Sequence, residues 1–243
     1  MDNLKTNFGK RKVSFEEKTS LVQEVFTDVA TKYDLMNDYM SFGLHRLWKK
    51  EFIEIMNIQK NDKIIDVGSG TGDLINLILK KNILNNIYSV DLNNQMLDLG
   101  KKKFRNKKVK FINANAELLP FDDNIFDKYI ISFCLRNITN INKAISEANR
   151  VLKPGGVFYC LEFNKPESKV INSFYKIYKK NIIPFIGKKI AKNKNAYKYL
   201  DESIEEFMSQ EDLEATLRNH SFQNTNYINI FNGIVSIHIG YKV

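Results

Sequence analysis

Between residues 63 and 163, short apolar runs alternate with segments of helical period, and this alternation constrains the fold more than any other feature. Apolar runs at residues 63–67, 87–92, 109–114, 127–134 and 157–163 predict strands. Residues 74–81, 94–104 and 142–152 predict helices between them. Strands that are joined through helices form a parallel sheet with right-handed crossovers. We therefore predict a doubly wound, Rossmann-like α/β sheet.

The residues before this sheet predict a helical cap. Residues 1–15 are polar and basic and look loose. From position 22 to position 33, apolar side chains recur every three or four residues, which predicts an amphipathic helix. Residues 32–49 show neither a strand period nor a helix period, and a second helix is predicted near residues 47–56. We predict that residues 1–58 form an N-terminal cap or lid.

The residues after the fifth predicted strand indicate an insertion and a terminal hairpin. Ser209 stands three residues before Asp212 at the start of a helical pattern, which indicates a capping box. Asn232-Gly233 joins two β-rich runs and suits a type I′ turn, so an antiparallel β-hairpin is predicted at the C-terminus. Residues 59–243 would then form the main domain, with a basic helical insertion at residues 164–208.

The positive charge of the chain is concentrated in that insertion. The 243 residues have a net charge of +9, and residues 165–198 contain ten Lys and one Glu. No apolar run approaches the ~18 residues of a membrane-spanning helix, and the start lacks the apolar stretch of a secretory signal. Cys134 and Cys160 lie in apolar runs, as expected for buried thiols in a reducing compartment. We expect a soluble, cytoplasmic protein without a metal-binding Cys/His cluster.

The sequence IIDVGSGTGD places Gly68, Gly70 and Gly72 between the first predicted strand and the helix after it. Ligands of such sheets bind beyond the carboxyl ends of the strands, where glycines let a ligand approach the backbone. A dinucleotide site would require the pattern G-x-G-x-x-G, but Asp73 occupies the place of its third glycine. Because a carboxylate there would repel a pyrophosphate, NAD(P) binding is the weaker alternative.

The pattern D-x-G-x-G-x-G resembles motif I of the S-adenosylmethionine (SAM) methyltransferases. Their cofactor carries an amino group and a sulfonium, so an acidic neighbour is acceptable. Asp91 ends the second predicted strand, where a carboxylate would accept hydrogen bonds from both ribose hydroxyls. The segment NANAELLPF, residues 113–121, ends the third strand, and in these enzymes that loop flanks the adenine. We therefore predict a SAM site at these strand ends.

Longer signatures resemble one family of these enzymes over nearly the whole chain. The most specific are VFTDVATKYDLMNDYMSFGLHRLWK, residues 25–49, and ISFCLRNIT, residues 131–139. They resemble the ubiquinone/menaquinone biosynthesis C-methyltransferases, which implies a class I methyltransferase fold and methylation of a ring carbon of a polyprenyl quinol. The acceptor would be demethylmenaquinol, a 2-methoxy-6-polyprenyl-1,4-benzoquinol, or both. Beside Gly68 and Gly70 of the glycine turn, the resemblance implies cofactor contacts at Thr71, Asp91, Asn115, Ala116 and Ser132.

The sequence departs from this family at Cys134, where the family usually has glycine. The cysteine side chain would either narrow the site or point into the core, and we favour the core. The neighbouring alternation of Ile130 and Ser132 does not decide between the two.

Residues 32–49 are interpreted as a lid and acceptor wall. A quinol ring packs against aromatic and thioether faces, which Tyr33, Met36, Met40 and Phe42 can supply. Trp48 is expected instead to fasten the cap to the main domain.

Arg136 and Asn137 follow the fourth predicted strand, beside the expected cofactor site. Arg136 would stabilise a developing phenolate, and Asn137 would orient a hydroxyl or a water. With Tyr33 they are the predicted catalytic residues. His45 is a candidate base, with a polar contact at the start of its helix as the equal alternative. Only a reduced acceptor is expected to react, because loss of a hydroxyl proton is what makes the ring carbon electron-rich.

Residues 165–198 mix lysines with apolar side chains, which suits peripheral contact with an anionic membrane surface. A solvated lysine face over a helical core is the alternative. Other functions stay open: methylation of another small phenolic or lipid acceptor, RNA binding on a SAM-type fold, or a scaffold role in a quinone-biosynthesis assembly. We expect no nucleic-acid partner, because these lysines alternate with isoleucine and lack an Arg-aromatic stacking surface. A homodimer is among the open oligomeric states.

Overall fold

A computed structural model describes residues 5–81, 86–166 and 194–243. The described chain begins with a small antiparallel hairpin of β1 (Lys5–Phe8) and β2 (Arg11–Ser14). Gly9 lies in its turn with a φ of 55°, a conformation that glycine adopts without strain. The prediction of a loose segment at residues 1–15 is therefore wrong from residue 5 to residue 14.

The cap continues with α1 (Phe15–Val29), a 3-10 turn (Ala30–Lys32), α2 (Tyr33–Ser41) and α3 (Leu44–Ile55). Residues 32–49 are thus largely helical, although no helix period runs through them in the sequence. The short α2 buries Met36 while Leu35 stays exposed, so no continuous apolar stripe marks the helix in the sequence.

A seven-stranded sheet with the order β5-β4-β3-β6-β7-β9-β8 forms the centre of the main domain. The five strands from β5 to β7 in this order run parallel, and β9 pairs antiparallel with β7 and β8. The strands are β3 (Ile64–Val67), β4 (Ile87–Asp91), β5 (Val109–Asn113), β6 (Phe126–Ser132), β7 (Leu152–Phe163), β8 (Phe222–Ile230) and β9 (Val235–Lys242). The helices are α4 (Asp73–Lys80), α5 (Asn94–Lys103), α6 (Ile141–Val151), α7 (Lys194–Glu206) and α8 (Gln210–Asn219).

Successive side chains of the parallel strands face two separate cores. Ile65 and Tyr129 pack with apolar side chains of α6 and α8 on one face of the sheet. Ile64 and Ile130 pack with side chains of α3 and α4 on the other face. Burying one such side chain contributes about 2 kcal/mol, so helices are held on both faces. The predicted doubly wound fold is confirmed.

The predicted C-terminal hairpin is also confirmed, with pairing from Phe222 to Ile230 in β8 against β9. Its loop, residues 231–234, is longer than a two-residue turn, although Asn232 and Gly233 keep the positive φ of a type I′ turn. The Ser209 hydroxyl accepts the Asp212 N–H at 3.1 Å, as the predicted cap of α8 requires.

Most of the predicted basic insertion, residues 167–193, lies outside the described residues, and α7 is its described end. Within the described part of the chain, none of the helices has the length and apolarity needed to cross a membrane. The division between cap and main domain near residue 58 stays a prediction.

Candidate active site

The glycine turn leaves β3 at Val67 and leads into α4 at Asp73. Gly68 has a φ of 66°, and a Cβ at this position would lie 2.1 Å from the Cys134 sulfur, so only glycine fits. The Gly70 N–H donates to Asp91 Oδ2 at 2.8 Å. The turn is therefore fixed between the end of β4 and the loop after β6.

A cavity opens beside this turn at the carboxyl ends of the parallel strands. It encloses about 780 Å³ with its open mouth included. Eight of the ten predicted site residues line it: Tyr33, Gly68, Gly70, Asp91, Asn115, Ala116, Ser132 and Asn137. Thr71 lines a small adjoining recess, whereas Arg136 lines a different cavity between the N-terminal hairpin and α7.

Asp91 accepts two backbone hydrogen bonds at the edge of the cavity. Its Oδ2 accepts the Gly70 N–H and its Oδ1 accepts the Asn93 N–H, both at 2.8 Å. Burial raises the pKa of the carboxyl, and these backbone hydrogen bonds oppose the shift. Each carboxylate oxygen has a second lone pair, so Asp91 can also accept hydrogen bonds from a pair of hydroxyls.

The loop after β5 forms another wall of the cavity. Asn115 Oδ1 accepts the Glu117 N–H at 2.9 Å, and Glu117 in turn accepts the Asn140 N–H at 3.0 Å. Ala116 is buried between them and contributes apolar surface. An apolar wall with a fixed amide beside it suits a heterocyclic base.

The adjoining recess shares Tyr33, Gly68, Gly70 and Ser132 with the cavity and contains several buried polar groups. Asp66 Oδ2 and Ser132 Oγ are buried, and neither has a hydrogen-bond partner among the described residues. Burial raises the pKa of Asp66 well above its usual range. A buried polar group without a partner costs about 1–3 kcal/mol, so the recess is suited to a polar ligand.

The first two helices of the cap cover the cavity. α1 contributes Thr19, Val22, Gln23 and Phe26 to its lining. Asn93 Nδ2, at the end of β4, donates to Thr27 Oγ1 of α1 at 2.8 Å. Thr71 Oγ1 in the glycine turn donates to Asp34 Oδ1 of α2 at 3.2 Å. Polar contacts on both sides therefore hold the cap over the site.

Tyr33, the first residue of α2, lines both the cavity and the recess. Burial raises the pKa of its hydroxyl to about 12, and the nearby charge of Arg136 opposes this shift. The phenol therefore stays protonated at neutral pH. It can donate a hydrogen bond or present an aromatic face to a ligand.

The other predicted wall residues lie elsewhere. Met36 packs in a cluster with Val29 of α1 and Tyr197 of α7, and Phe42 is 69% exposed. The Met40 side chain lies outside the described part. The prediction of an acceptor wall is therefore wrong for Met36 and Phe42, because α2 turns Met36 into a separate core. Trp48 is buried against three phenylalanine rings and fastens α3 to the sheet, as predicted.

Arg136 is buried in the loop after β6 and forms an ion pair with Glu162, which has no exposed surface. Its Nη1 donates to Glu162 Oε1 at 2.5 Å and to the Phe133 carbonyl at 2.8 Å. Its Nε donates to Ser203 Oγ at 3.3 Å. Arg136 thus joins the loop after β6 to β7 and α7. It does not line the cavity, but its charge acts on the pKa values of Tyr33 and Cys134, which do.

Asn137 lines the cavity, and both ends of its side-chain amide have partners. Its Oδ1 accepts the Tyr199 hydroxyl at 2.9 Å, and its Nδ2 donates to the Phe133 carbonyl at 3.3 Å. Burial raises the pKa of Tyr199, so this phenol remains a hydrogen-bond donor. Tyr199 of α7 therefore fixes the orientation of Asn137.

The structure also places Cys134 and His45, for which the sequence left two alternatives each. Cys134 lines the cavity and also packs against the core, so both alternatives for its side chain hold in part. His45 Nε2 lies 2.9 Å from Asp38 Oδ1, and burial with the charge of Lys49 lowers the pKa of the ring. Because His45 lines neither the cavity nor the recess, its placement favours a polar contact over a base.

Lys49 in the recess and Glu162 beside Arg136 were not predicted from the sequence. Glu162 is the single charge in the buried run VFYCLEF of β7, and such a charge indicates a buried partner. Lys49 occurs on the buried side of α3, next to Trp48 and three residues before Phe52. Both signals were present in the sequence, but neither identifies the partner.

The described residues contain no group of three or more His, Cys, Asp or Glu side chains that could hold a metal ion. The groups around the glycine turn are hydroxyls, amides, carboxylates and aromatic rings. The model of the ubiE/COQ5 methyltransferase family matches residues 12–242. The chain belongs to this family.

Relatives of known annotation agree with this membership over almost the full length. The ubiquinone/menaquinone biosynthesis C-methyltransferase UbiE of Rickettsia prowazekii (strain Madrid E) is 51% identical, and that of Rickettsia bellii (strain OSU 85-389) is 50% identical. Each alignment covers 98% of this chain and 99% of the relative.

Solved structures share the fold at much lower identity. A SAM-dependent methyltransferase from Thermotoga maritima has a TM-score of 0.67 and 17% identity, covering 91% of this chain and 100% of that one. Phosphoethanolamine N-methyltransferase 2 of Haemonchus contortus, in complex with S-adenosyl-L-methionine, has a TM-score of 0.64 and 15% identity, covering 95% and 60%. At these identities the likeness shows the Rossmann-like methyltransferase fold alone.

As a member of the ubiE/COQ5 methyltransferase family, the chain is a SAM-dependent methyltransferase, and the residues present fit this cofactor. Asp91 can accept the two ribose hydroxyls, and the loop carrying Asn115 and Ala116 can flank the adenine. The buried, unpartnered Asp66 Oδ2 and Ser132 Oγ give the recess polar groups for an amino-acid end. The specific contacts of these residues with the cofactor stay predictions.

Proposed function

We propose that the chain transfers the methyl group of SAM to a ring carbon of a reduced polyprenyl quinol in ubiquinone or menaquinone biosynthesis. The observation that carries the proposal is the 51% identity, over nearly the full length, to a ubiquinone/menaquinone biosynthesis C-methyltransferase. The acceptor is demethylmenaquinol, a 2-methoxy-6-polyprenyl-1,4-benzoquinol, or both. A phenol and an amide in the cavity beside the cofactor residues support a phenolic acceptor.

SAM, when bound, supplies an electrophilic methyl group, so the protein has to position the acceptor carbon and manage one proton. A hydroquinone that loses a hydroxyl proton carries negative charge on the ring carbon, whereas the oxidised quinone has no such proton to lose. This chemistry is the reason why only the reduced acceptor reacts.

Tyr33 and Asn137 are the proposed contacts of the acceptor oxygen. Tyr33 remains protonated and can donate a hydrogen bond to the developing phenolate, because burial holds its pKa at about 12. Asn137 is held by Tyr199 and the Phe133 carbonyl, so it can orient a hydroxyl or a water without moving.

Arg136 is proposed to act at longer range than the sequence suggested. Its guanidinium is bonded to Glu162, but its charge still influences Tyr33. It therefore favours negative charge near Tyr33 while it supports the loop that carries Asn137. The covering helices α1 and α2 keep water from the reacting groups.

The lysine-rich composition of residues 165–198 supports a further part of the proposal, peripheral contact with an anionic membrane that holds the polyprenyl tail. The test is co-sedimentation with anionic liposomes of the wild type and of a variant with four lysines changed to Glu: Lys179, Lys180, Lys188 and Lys189. Equal co-sedimentation of both proteins would refute the proposed membrane contact. The proposed methyl transfer would not be affected by that result.

The activity test uses purified protein, methyl-labelled SAM, and both candidate acceptors, each supplied reduced and oxidised. Label on the ring carbon of a reduced acceptor supports the proposal and identifies which quinol is used. Label in the oxidised forms at an equal rate would contradict the hydroquinone mechanism. If no quinol is labelled while SAM binds normally, another small phenolic or lipid acceptor becomes the better hypothesis.

A further inference from the structure

Lys49 is a buried cation in the recess, and none of the predicted contacts with cofactor or acceptor involves it. Its side chain is 8% exposed, and its ammonium donates to Asp73 Oδ2 at 2.8 Å. The same ammonium lies 5.9 Å from the centre of the Phe133 ring, which lines the cavity. Burying a charge is costly unless the charge is well paired. Within the described parts of the chain, one hydrogen bond, to Asp73, engages one of the three N–H donors of the lysine.

The other charges of the recess show what Lys49 is free to bind. Asp73 also accepts a hydrogen bond from Lys103 at 3.3 Å, so its charge is shared between two lysines. Asp66 faces the recess with an unpartnered, buried oxygen. Burial raises the pKa of Asp66, the charge of Lys49 opposes this shift, and a bound ammonium would oppose it further. The recess therefore offers a buried carboxyl for a cationic group at Asp66 and a cation with spare donors at Lys49. A zwitterion that carries an ammonium and a carboxylate matches both.

The position of the recess identifies which end of the cofactor it receives. The predicted ribose and adenine contacts are Asp91, Asn115 and Ala116, which line the cavity and not the recess. The recess adjoins the cavity at Gly68 and Gly70, and it also includes Ser69 and Thr71. The methionine end of SAM is the zwitterionic part, and it is the part left to occupy the recess.

We propose that Lys49 binds the α-carboxylate of SAM and so couples α3 of the cap to the methionine end of the cofactor. The ammonium of Lys49 bridges Asp73 and the cofactor carboxylate, two anions that would otherwise repel each other. Lys103 offsets the remaining charge of Asp73 from the rim, where its side chain is 38% exposed. The proposal rests on SAM as the cofactor and is independent of which acceptor is methylated.

The test compares the binding of SAM with that of decarboxylated SAM, which lacks only the α-carboxylate, by titration calorimetry. The wild type should bind SAM about 10- to 100-fold more tightly, as expected for a hydrogen bond between charged groups. Lys49→Met should abolish most of this preference by weakening SAM binding alone. Lys103→Met is the matched control, because it removes the other lysine of Asp73 and should reduce the preference much less than Lys49→Met does.

The ratio of the two affinities is measured within one protein, so a general loss of stability does not imitate the effect. Should Lys49→Met fold poorly, Lys49→Met combined with Asp73→Asn removes both charges of the pair and takes its place. Equal affinities of the wild type for both ligands would overturn the proposal. So would a preference that survives Lys49→Met, or one that Lys103→Met reduces to the same extent.

Discussion

The buried pair of Arg136 and Glu162 allows a test of whether the arginine serves the fold or the reaction. The perturbation is Arg136→Met, which leaves the Glu162 carboxylate buried without its cation. Glu162 would keep the Phe163 N–H, which donates at 2.9 Å. The Phe133 carbonyl loses one donor but still receives Asn137 Nδ2 at 3.3 Å. The main cost therefore falls on the glutamate.

Removing one partner of a buried ion pair costs about 3–5 kcal/mol, because an uncompensated charge remains in the interior. We expect Arg136→Met to lower the free energy of unfolding by this amount at pH 7. Replacing both residues, as in Arg136→Met with Glu162→Leu, removes the uncompensated charge. The double variant should recover to within about 1–2 kcal/mol of the wild type, since buried pairs often add little net stability.

The assay is urea denaturation of the wild type, the single variant and the double variant. The control is Arg46→Met, since Arg46 makes two hydrogen bonds to Asp38 at 2.6 and 2.7 Å but is 64% exposed. Its loss should cost under about 1 kcal/mol. A buried ion pair of this kind is refuted if Arg136→Met lowers the free energy of unfolding no more than Arg46→Met does. It is also refuted if the double variant is less stable than Arg136→Met. Methyl transfer by a stable double variant would limit Arg136 to a structural role.

Three further outcomes are expected. Gly68→Ala should lower both the melting temperature and the affinity for SAM, because the new Cβ would clash with the Cys134 sulfur. Adding Cys134→Gly should relieve the clash but leave about 1 kcal/mol of strain from the positive φ of residue 68. The unfolded chain protonates His238 near its ordinary pKa of 6.5, but burial lowers the folded pKa to about 4. The free energy of unfolding should therefore fall by up to about 3 kcal/mol as the pH drops from 6.5 to 4. Urea denaturation at several pH values should show that the free energy of unfolding of His238→Gln depends less steeply on pH than that of the wild type. Tyr33→Phe should lower kcat about 100-fold without changing the Kd of SAM by calorimetry, and an unchanged kcat would remove the hydroxyl from the mechanism.

The sheet and the cofactor site could be predicted because local patterns determine them. Strands that are buried on both faces appear as short apolar runs, so β3 and β4 end within one residue of their predicted ends. The carboxyl ends of parallel strands meet at one edge, and this brings Asp91 and Ser132 to the same cavity. The placement of these residues at one cavity could therefore be predicted from the order of the strands and from the family resemblance, while their contacts with the cofactor stay predictions.

Two helices of the cap, α1 and α3, were predicted near residues 22–33 and 47–56. The hairpin of β1 and β2 and the packing of α2 could not be predicted in the same way. β1 and β2 pair with each other and bury Val13 alone among their apolar side chains, so they carry no strand period. Met36 is buried because α7, more than 150 residues later, supplies Tyr197. Met36 was predicted to contact the acceptor because its side chain is a thioether. The tertiary fold shows that it packs in a core instead.

Helices α1 and α3 of the cap are held to the main domain to different extents. α3 buries Trp48 and Phe52 in the core beneath the sheet, and each such side chain contributes roughly 2–3 kcal/mol. α1 packs Val29 in the smaller apolar cluster with Tyr197 of α7 and adds polar contacts such as the hydrogen bond from Asn93 to Thr27, each worth about 1 kcal/mol net. A helix with fewer buried apolar contacts opens at lower cost than one that is anchored in a large core. We therefore expect α1 to open more readily than α3, the helix that carries Lys49.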